Sequence, residues 1–337
     1  VDSFMLGNPS EGAIEAVHPP TVSLVTASWS GDLDQFRILV SSLKRSQLAG
    51  VKHTTVVQSE DLELFSSLLV GSPDASLTEL FSTEEVLPPL VEHKRLQSLG
   101  YQKRAGSHLT RLCGSLTRVL GWPDWPRYTG WHVQQISKLA MAALADTDYV
   151  LVIDSDVIVT PAADLTGILS HDGIVCFSSR KPLSEFKGKT RKWVLQADAL
   201  LRTTPMDKGT YDAYFDTPFL LHVKTVRAMF AWLEHTYKQP WWQVLLAQPP
   251  RRWSEFATYR LFLERCSESR PDREVTWLAP QMMHYIYDAS DPAQLLSALQ
   301  KSWLDPAIQF ITVHSQSSGR QRWRADSYVT ELSAMLS

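Results

Sequence analysis

Two hydrophobic periods alternate along this chain, and the alternation limits the folds open to it. "TVSLVTASW", from Thr21, is β-branched and apolar, the composition of a buried strand. Gly31 and Asp32 break it, and "DLDQFRILVSSLKRS" then places Leu33, Phe36, Leu39, Val40 and Leu43 at helical spacing. "KHTTVVQSED" is a second strand pattern, and "LELFSSLL" opens another helix. Strand, helix, strand, helix predicts an α/β fold, a parallel sheet with helices on its faces.

The same unit recurs. "GWHVQQISKLAMAALADTD" carries Ile136, Leu139, Ala140, Ala143 and Leu144 on one helical side and leads into the strand "YVLVIDSD". "GIVCFSS" is a further strand. Residues 71 to 130 are mixed and rich in turns. A basic loop, "RKPLSEFKGKTRKW", follows the last of these strands, and from its end at about residue 193 to 300 the pattern predicts helices separated by Pro-rich turns, "YKQPWW" and "AQPPRRW". "AIQFITVHS" predicts a last strand before the basic tail "SGRQRWR". No repeat, low-complexity tract or linker divides the 337 residues, which predicts a single domain over 1–337.

The totals exclude several classes. A 44% hydrophobic, 20% charged chain can build a large core. A net charge of -3 gives no global positive field, so nucleic acid is not an expected partner. The three cysteines, Cys113, Cys176 and Cys266, are odd in number and widely spaced, unlike a disulfide framework or a zinc site. They predict a reducing compartment. No apolar run approaches the roughly 20 residues needed to span a bilayer. The opening "VDSFMLGNPSEG" has neither the basic nor the apolar part of a signal peptide, and a first residue Val is compatible with a leader already removed. Twelve Trp only slightly favour a sugar-like or aromatic ligand, because Trp is also good core material.

The chemistry concentrates where the apolar run Tyr149–Ile153 stops at Asp154-Ser155-Asp156. In open parallel sheets, ligands bind beyond the carboxyl ends of the strands. A turn at Ser155 can aim both carboxylates at one point, and two close carboxylates call for a compensating cation. A divalent ion there would hold phosphate oxygens. The plainer alternative is a turn cap at Asp154 and a solvated Asp156.

The run "ISKLAMAALADTDYVLVIDSDVIVTP" resembles the central segment of GT-A glycosyltransferases, and is similar there to the glycogenin-like and bacterial lipopolysaccharide galactosyltransferases. The resemblance covers about a tenth of the chain. It implies a GT-A (Rossmann-like), mostly parallel sheet flanked by helices, with a nucleotide-sugar half at about residues 20–180 and a helix-rich acceptor half at about 181–337. It further implies sugar transfer from a nucleotide-sugar, a UDP-sugar as first choice, to a saccharide or lipid-linked glycan acceptor in bacterial-type surface glycan synthesis. Mn²⁺ or Mg²⁺ would be the cofactor, and the site of action cytoplasmic, at the inner face of the membrane, with peripheral membrane contact. Asp156 would ligate the metal. Asp154 would meet the ribose, or the metal through water. Thr26 and Ala27 would lie against the nucleoside base, and Asp61 resembles the acidic residue that reads the base edge, although Asp after a strand is also a routine helix N-cap. Gln134 and Lys138 share one helix face by spacing; the resemblance sets Lys138 near the nucleotide-sugar, against a plain solvated face.

A late-strand His often completes such a metal shell, which makes His314 a candidate ligand. In the glycogenin-like pattern a Gly and Lys-Pro-Trp follow; here Gly319, Arg320 and Trp323 follow at longer spacing, with Arg320 as the candidate phosphate contact. The loop "RKPLSEFKGKTRKW" could cover a leaving diphosphate, meet a membrane surface, or be simply solvated. Inverting transfer needs a base. Glu255, in "RRWSEFATYRLFLE", is the first candidate, with a helix N-terminal carboxylate as its alternative. Asp216, in "YFDTPFLLH", is the second. Trp241 and Trp242 either stack on a sugar or fill the core.

Other activities share parts of this pattern. A haloacid-dehalogenase-type phosphatase also places Asp-x-Asp after an apolar strand, but near the start of the chain. A nucleotidyltransferase would open with a Gly-rich basic loop, which "TASWSGDLDQ" is not. A catalytically degenerate sugar-nucleotide-binding protein is the non-enzymatic alternative.

Overall fold

The structure is a computed structural model and describes residues 19–70, 78–106, 108–109, 112–113, 130–171, 173–203, 209–249, 252–266, 274–287 and 291–314. In chain order these form β1 (Val22–Ala27), α1 (Leu33–Leu43), β2 (His53–Val57), α2 (Leu62–Val70), β3 (Thr78–Ser82), a short α3 (Thr83–Val86), α4 (Pro89–Ala105), α5 (Gly130–Leu144), β4 (Tyr149–Val152) and β5 (Val157–Val159). There follow a short α6 (Thr166–Leu169), β6 (Ile174–Phe177), β7 (Arg180–Pro182), α7 (Gly188–Leu200), β8 (Thr210–Asp212), β9 (Phe219–His222), α8 (Val223–Tyr237), α9 (Trp241–Leu246), α10 (Glu255–Arg265), β10 (Val275–Leu278), β11 (Met283–Ile286), α11 (Pro292–Leu304) and β12 (Phe310–Val313).

The main sheet has five strands in the order β3-β2-β1-β4-β9. The first four are mutually parallel and β9 is antiparallel to β4, so this is a mixed α/β protein with a mostly parallel central sheet. The β1, β2, β4 and β9 backbones carry buried side chains on both faces, as expected for strands covered by helices. Helix α5 packs on β1 and beside α8 and α9. A second sheet, β11-β12-β5, lies against α1, and the Ser42 hydroxyl accepts the Val159 amide at 3.0 Å. Ile38, Ile158, Leu295, Leu299 and Ile311 form the small core between that sheet, α1 and α11. The pair β6-β10 depends on Gly173: its φ is +74°, and a Cβ there would meet the Glu274 carbonyl oxygen at 2.8 Å.

The expected strands and helices up to residue 70 are present, as are α5, β4, β6 and β12. Three regions differ from the sequence pattern. The mixed stretch holds a fourth parallel strand, β3, and the 17-residue α4. The region from about 193 to 300 is not purely helical: β8 to β11 lie within it. The basic loop is largely ordered structure, comprising β7, a 3₁₀ turn at Leu183–Glu185 and the first turns of α7. Trp241 stacks on Phe230 at 3.7 Å, and both Trp241 and Trp242 are half-buried against the main core. No helix among the described residues is long and apolar enough to cross a membrane.

Candidate functional site

The strand β4 leaves the main sheet between β1 and β9, and Ile153 extends its ladder by donating to the Val25 carbonyl at 2.9 Å. At Asp154 the pairing ends and a turn closes, with the Val157 amide donating to the Asp154 carbonyl at 3.1 Å. The buried Ser155 hydroxyl meets the Ser28 hydroxyl at 2.7 Å and joins the exits of β4 and β1. The Asp156 carbonyl accepts the Val313 amide at 3.0 Å, joining the turn to β12. The two carboxylates therefore stand on the step between two sheets, half-buried, at the carboxyl edge of the parallel strands.

Beneath them lies Lys138. It sits on α5, and its side chain is only 3% exposed. Its ammonium is 2.7 Å from Asp154 Oδ1 and 3.4 Å from Glu255 Oε1, and 5.1 Å above the Phe256 ring. Burial works against this charge, but the two carboxylates outweigh it and hold the ammonium above its ordinary pKa. One cation cannot fully compensate two carboxylates. Glu255, the deeper of them, is pushed up by burial and by the Asp154 charge, with Lys138 opposing. With its amide oriented to donate, Gln135 hydrogen-bonds Glu255, and the Ser254 hydroxyl donates to Glu255 Oε2 at 3.3 Å. Ser254 also caps α10 by accepting the Ala257 amide at 3.4 Å.

Above the step, Asp216, His314 and Lys189 act on one another electrostatically, and the Asp154 charge reaches both Asp216 and His314. Asp216 comes from the segment before β9, His314 from the end of β12 and Lys189 from the first turn of α7. Burial and Asp154 push the Asp216 carboxyl up, opposed by His314 and Lys189. Burial pushes the His314 imidazole down against the pull of Asp216 and Asp154, which favours the neutral ring. The His314 ring stacks on Tyr287 at 4.5 Å.

The sequence candidates divide accordingly. Asp154, Asp216, Lys138, Glu255 and His314 converge on the end of β4, and Asp156 stands two residues beyond Asp154 in the same turn. Lys138 is buried, so the solvated-face alternative is wrong for it; Gln134 is half-buried and reaches the Ala27 carbonyl at 3.4 Å. Thr26 is fully buried with its hydroxyl on His53 Nε2 at 2.9 Å, so its side chain serves the core and offers nothing to a ligand. Ala27 is also buried, at the exit of β1. Asp61 is not a helix N-cap: it accepts the Ser30 amide at 2.7 Å and ties the loop after β2 to the loop after β1. Glu255 is 1% exposed, which removes it from reach of an acceptor and makes it the partner of Lys138. Arg320 lies outside the described residues. Sequence reasoning missed Gln135, Ser28, Tyr285 and Tyr287. The signals available were weak: Gln135 stands three residues before Lys138, and the two tyrosines are two apart in a strand-like run.

Among the described residues, no group of three or more His, Cys, Asp or Glu side chains is arranged to hold a metal ion. The donor set at the β4 end nevertheless has the chemistry of one. Four carboxylates, Asp154, Asp156, Asp216 and Glu255, stand there with two ammonium groups, Lys138 and Lys189, and a neutral-leaning imidazole. An oxygen-rich set with one nitrogen is the donor chemistry that a divalent cation takes, while burial pushes Asp216 and Glu255 toward their neutral forms.

The chain resembles several solved structures. The apo WbbM bifunctional glycosyltransferase is 14% identical over 89% of this chain and 47% of that one, with a TM-score of 0.42. The glycosyltransferase GlyE of Streptococcus pneumoniae TIGR4 is 14% identical over 94% of this chain and 63% of that one, with a TM-score of 0.43. The apo form of mouse xyloside xylosyltransferase 1 is 11% identical over 87% of this chain and 98% of that one, with a TM-score of 0.41. This chain thus spans about half of WbbM and less than two thirds of GlyE. No curated protein matches the sequence. A family model matches residues 13–290, and on that match the chain belongs to the family of unknown function DUF6492.

Proposed function

We propose that this protein is a GT-A-like glycosyltransferase that moves a sugar from a nucleoside-diphosphate donor to a hydroxyl of a saccharide or lipid-linked acceptor. The observation that carries the reading is the gathering of Asp154, Asp216, His314 and Lys138 at the carboxyl edge of a parallel sheet, each brought there by a different element. A divalent cation, Mn²⁺ or Mg²⁺, would be held by Asp154 and Asp156 with His314, and would supply charge neutralisation of the diphosphate.

The chain's own residues do the rest. Lys138, fixed from below by Glu255, holds Asp154 in place. Asp61 and the Ser30 amide shape the nucleoside end, and a UDP-sugar remains the first choice of donor. Asp216 receives the proton of the attacking acceptor hydroxyl. That oxygen bonds to the sugar C1 as the bond from C1 to the diphosphate oxygen breaks, and the nucleoside diphosphate leaves. Lys189 acts on Asp216 and favours its charged form, the form that can accept the proton. A lipid-linked acceptor would place the reaction at the cytoplasmic membrane face, where the exposed Lys187, Arg191 and Lys192 can meet anionic headgroups.

The test is thermal denaturation with a panel of nucleoside diphosphates, with and without Mn²⁺, on wild type and Asp156→Ala. Ligand at a hundred times its dissociation constant stabilises the native state by about 2.7 kcal/mol. At about 2.1 cal/mol/K of unfolding entropy per residue, this is a rise of about 4 °C for a chain of this length. A metal-dependent rise for one base, lost in Asp156→Ala, supports the reading. No rise with any nucleotide sinks it, and an aspartyl-phosphate intermediate at Asp154 would put a phosphatase in its place.

A further inference from the structure

Tyr287 follows β11 and is 60% exposed, although its ring is held in place. It stacks on His314 at 4.5 Å and 11°. Tyr285 lies 6.0 Å from the His314 ring and 6.1 Å from Tyr287, and its hydroxyl donates to the Tyr214 hydroxyl at 2.8 Å. The backbone explains the arrangement. β11 and β12 are parallel, with Ile286 opposite Val313, so Tyr287 and His314 leave the second sheet side by side. β12 is antiparallel to β5, with Thr312 opposite Val157, so both rings emerge at the edge where the Asp154–Asp156 turn enters that sheet. The Asp216 charge reaches the phenols of Tyr285 and Tyr287 as well as the His314 ring.

A flat, largely exposed ring stacked on an imidazole, with a carboxylate near it, matches a pyranose. The C–H face of the sugar lies on the aromatic ring and its hydroxyls donate to the carboxylate.

We propose that Tyr287, backed by His314 and flanked by Asp216, is the platform for the acceptor pyranose. This rests on the transferase reading and names the side from which each substrate enters. The nucleotide comes over the β1 and β2 loops, and the acceptor over the ends of β11 and β12.

The experiment is saturation-transfer difference NMR with methyl β-glucoside, methyl β-galactoside and methyl N-acetyl-β-glucosaminide. Wild type, Tyr287→Phe and Tyr287→Ala are compared, with the UDP–Mn²⁺ thermal shift measured on the same samples. We expect saturation of ring C–H protons of at least one glycoside with wild type and Tyr287→Phe. In Tyr287→Ala it should fall at least about fivefold, while the UDP shift matches wild type. Unchanged saturation in Tyr287→Ala, or none with wild type, overturns the platform. A variant that loses the UDP shift but keeps the glycoside signal makes Tyr287 a base-stacking residue and also overturns it. Absence of any UDP shift in wild type counts against the donor reading alone, because the glycoside comparison still decides the platform.

Discussion

Replacing Lys138 with Met removes one charge from the floor of the site while keeping most of the side-chain volume over Phe256. The two carboxylates it serves differ in access to water. Asp154 is 32% exposed, so water can solvate it once the ammonium is gone, at a cost of about 1 kcal/mol or less. The Glu255 side chain is 2% exposed and would keep the Ser254 hydroxyl, the Gln135 amide and its own backbone amide. Stranding a buried charge costs about 3–5 kcal/mol. Glu255 limits the loss by taking up a proton, since burial already pushes it up, and we expect about 3 kcal/mol at pH 7. With about 0.7 kcal/mol of unfolding free energy per degree for a chain of this length, Tm should fall by about 4 °C. Glu255→Gln in the same background removes the stranded charge and should recover about 2 kcal/mol, whereas Glu255→Gln alone should change stability by about 1 kcal/mol or less. The sign with pH follows from the raised pKa of Glu255. The folded state holds its proton to higher pH than the unfolded chain, so stability is lost as pH rises through the folded value. The Lys138→Met deficit should therefore shrink as pH is lowered from 8 to 5, and should not do so in the double variant. Thermal melts followed by circular dichroism at each pH supply all the numbers. A double variant as unstable as Lys138→Met, with no coupling, would refute the claim that Lys138 compensates Glu255.

Two further outcomes test the frame around the site. Burial pushes the His53 imidazole down to about 4, among the hydroxyls of Thr26, Thr55 and Thr78. The unfolded chain takes up that proton first, so stability should fall by about 3 kcal/mol from above pH 6.5 to about pH 4; urea titrations at pH 7.5 and 4.5 should show this loss in wild type and not in His53→Gln. Arg95 is buried between Glu92 and Glu60, with Nη2 2.7 Å from Glu60. Arg95→Met strands the buried Glu92 and should cost about 3–5 kcal/mol, a Tm loss of about 4–7 °C, partly recovered by adding Glu92→Gln.

What the sequence made legible was local. β1, β2 and β4 are apolar runs long enough to identify, and α1 and α5 carry their apolar stripe at helical spacing. β3 reads "TELFS" and β11 reads "MHYI", and neither has a period of its own. They are strands because β2 and β12 offer them a ladder, and a strand's preference is largely that of its neighbours. The β9 run is only four residues long and becomes a sheet strand through antiparallel pairing with β4. The site divides along the same line. A strand that ends in two aspartates shows its chemistry in the sequence, as does a histidine at the end of the last strand. The environment of Glu255 does not, because it depends on where α10 begins relative to α5. Its first turn meets Lys138, whose spacing to Gln134 suited a surface face equally well. Asp61 is similar: its partner, the Ser30 amide, lies 31 residues earlier in the chain and is reached only once β1 and β2 are paired. A carboxylate in a one-dimensional pattern thus has several open roles, as cap, base or ligand. The parallel sheet removes most of them by fixing which loop ends meet. At the end of β4 it leaves Asp154, Asp156 and Asp216 half-buried, with His314 and Lys189 near Asp216, and Glu255 as the buried group that meets Lys138.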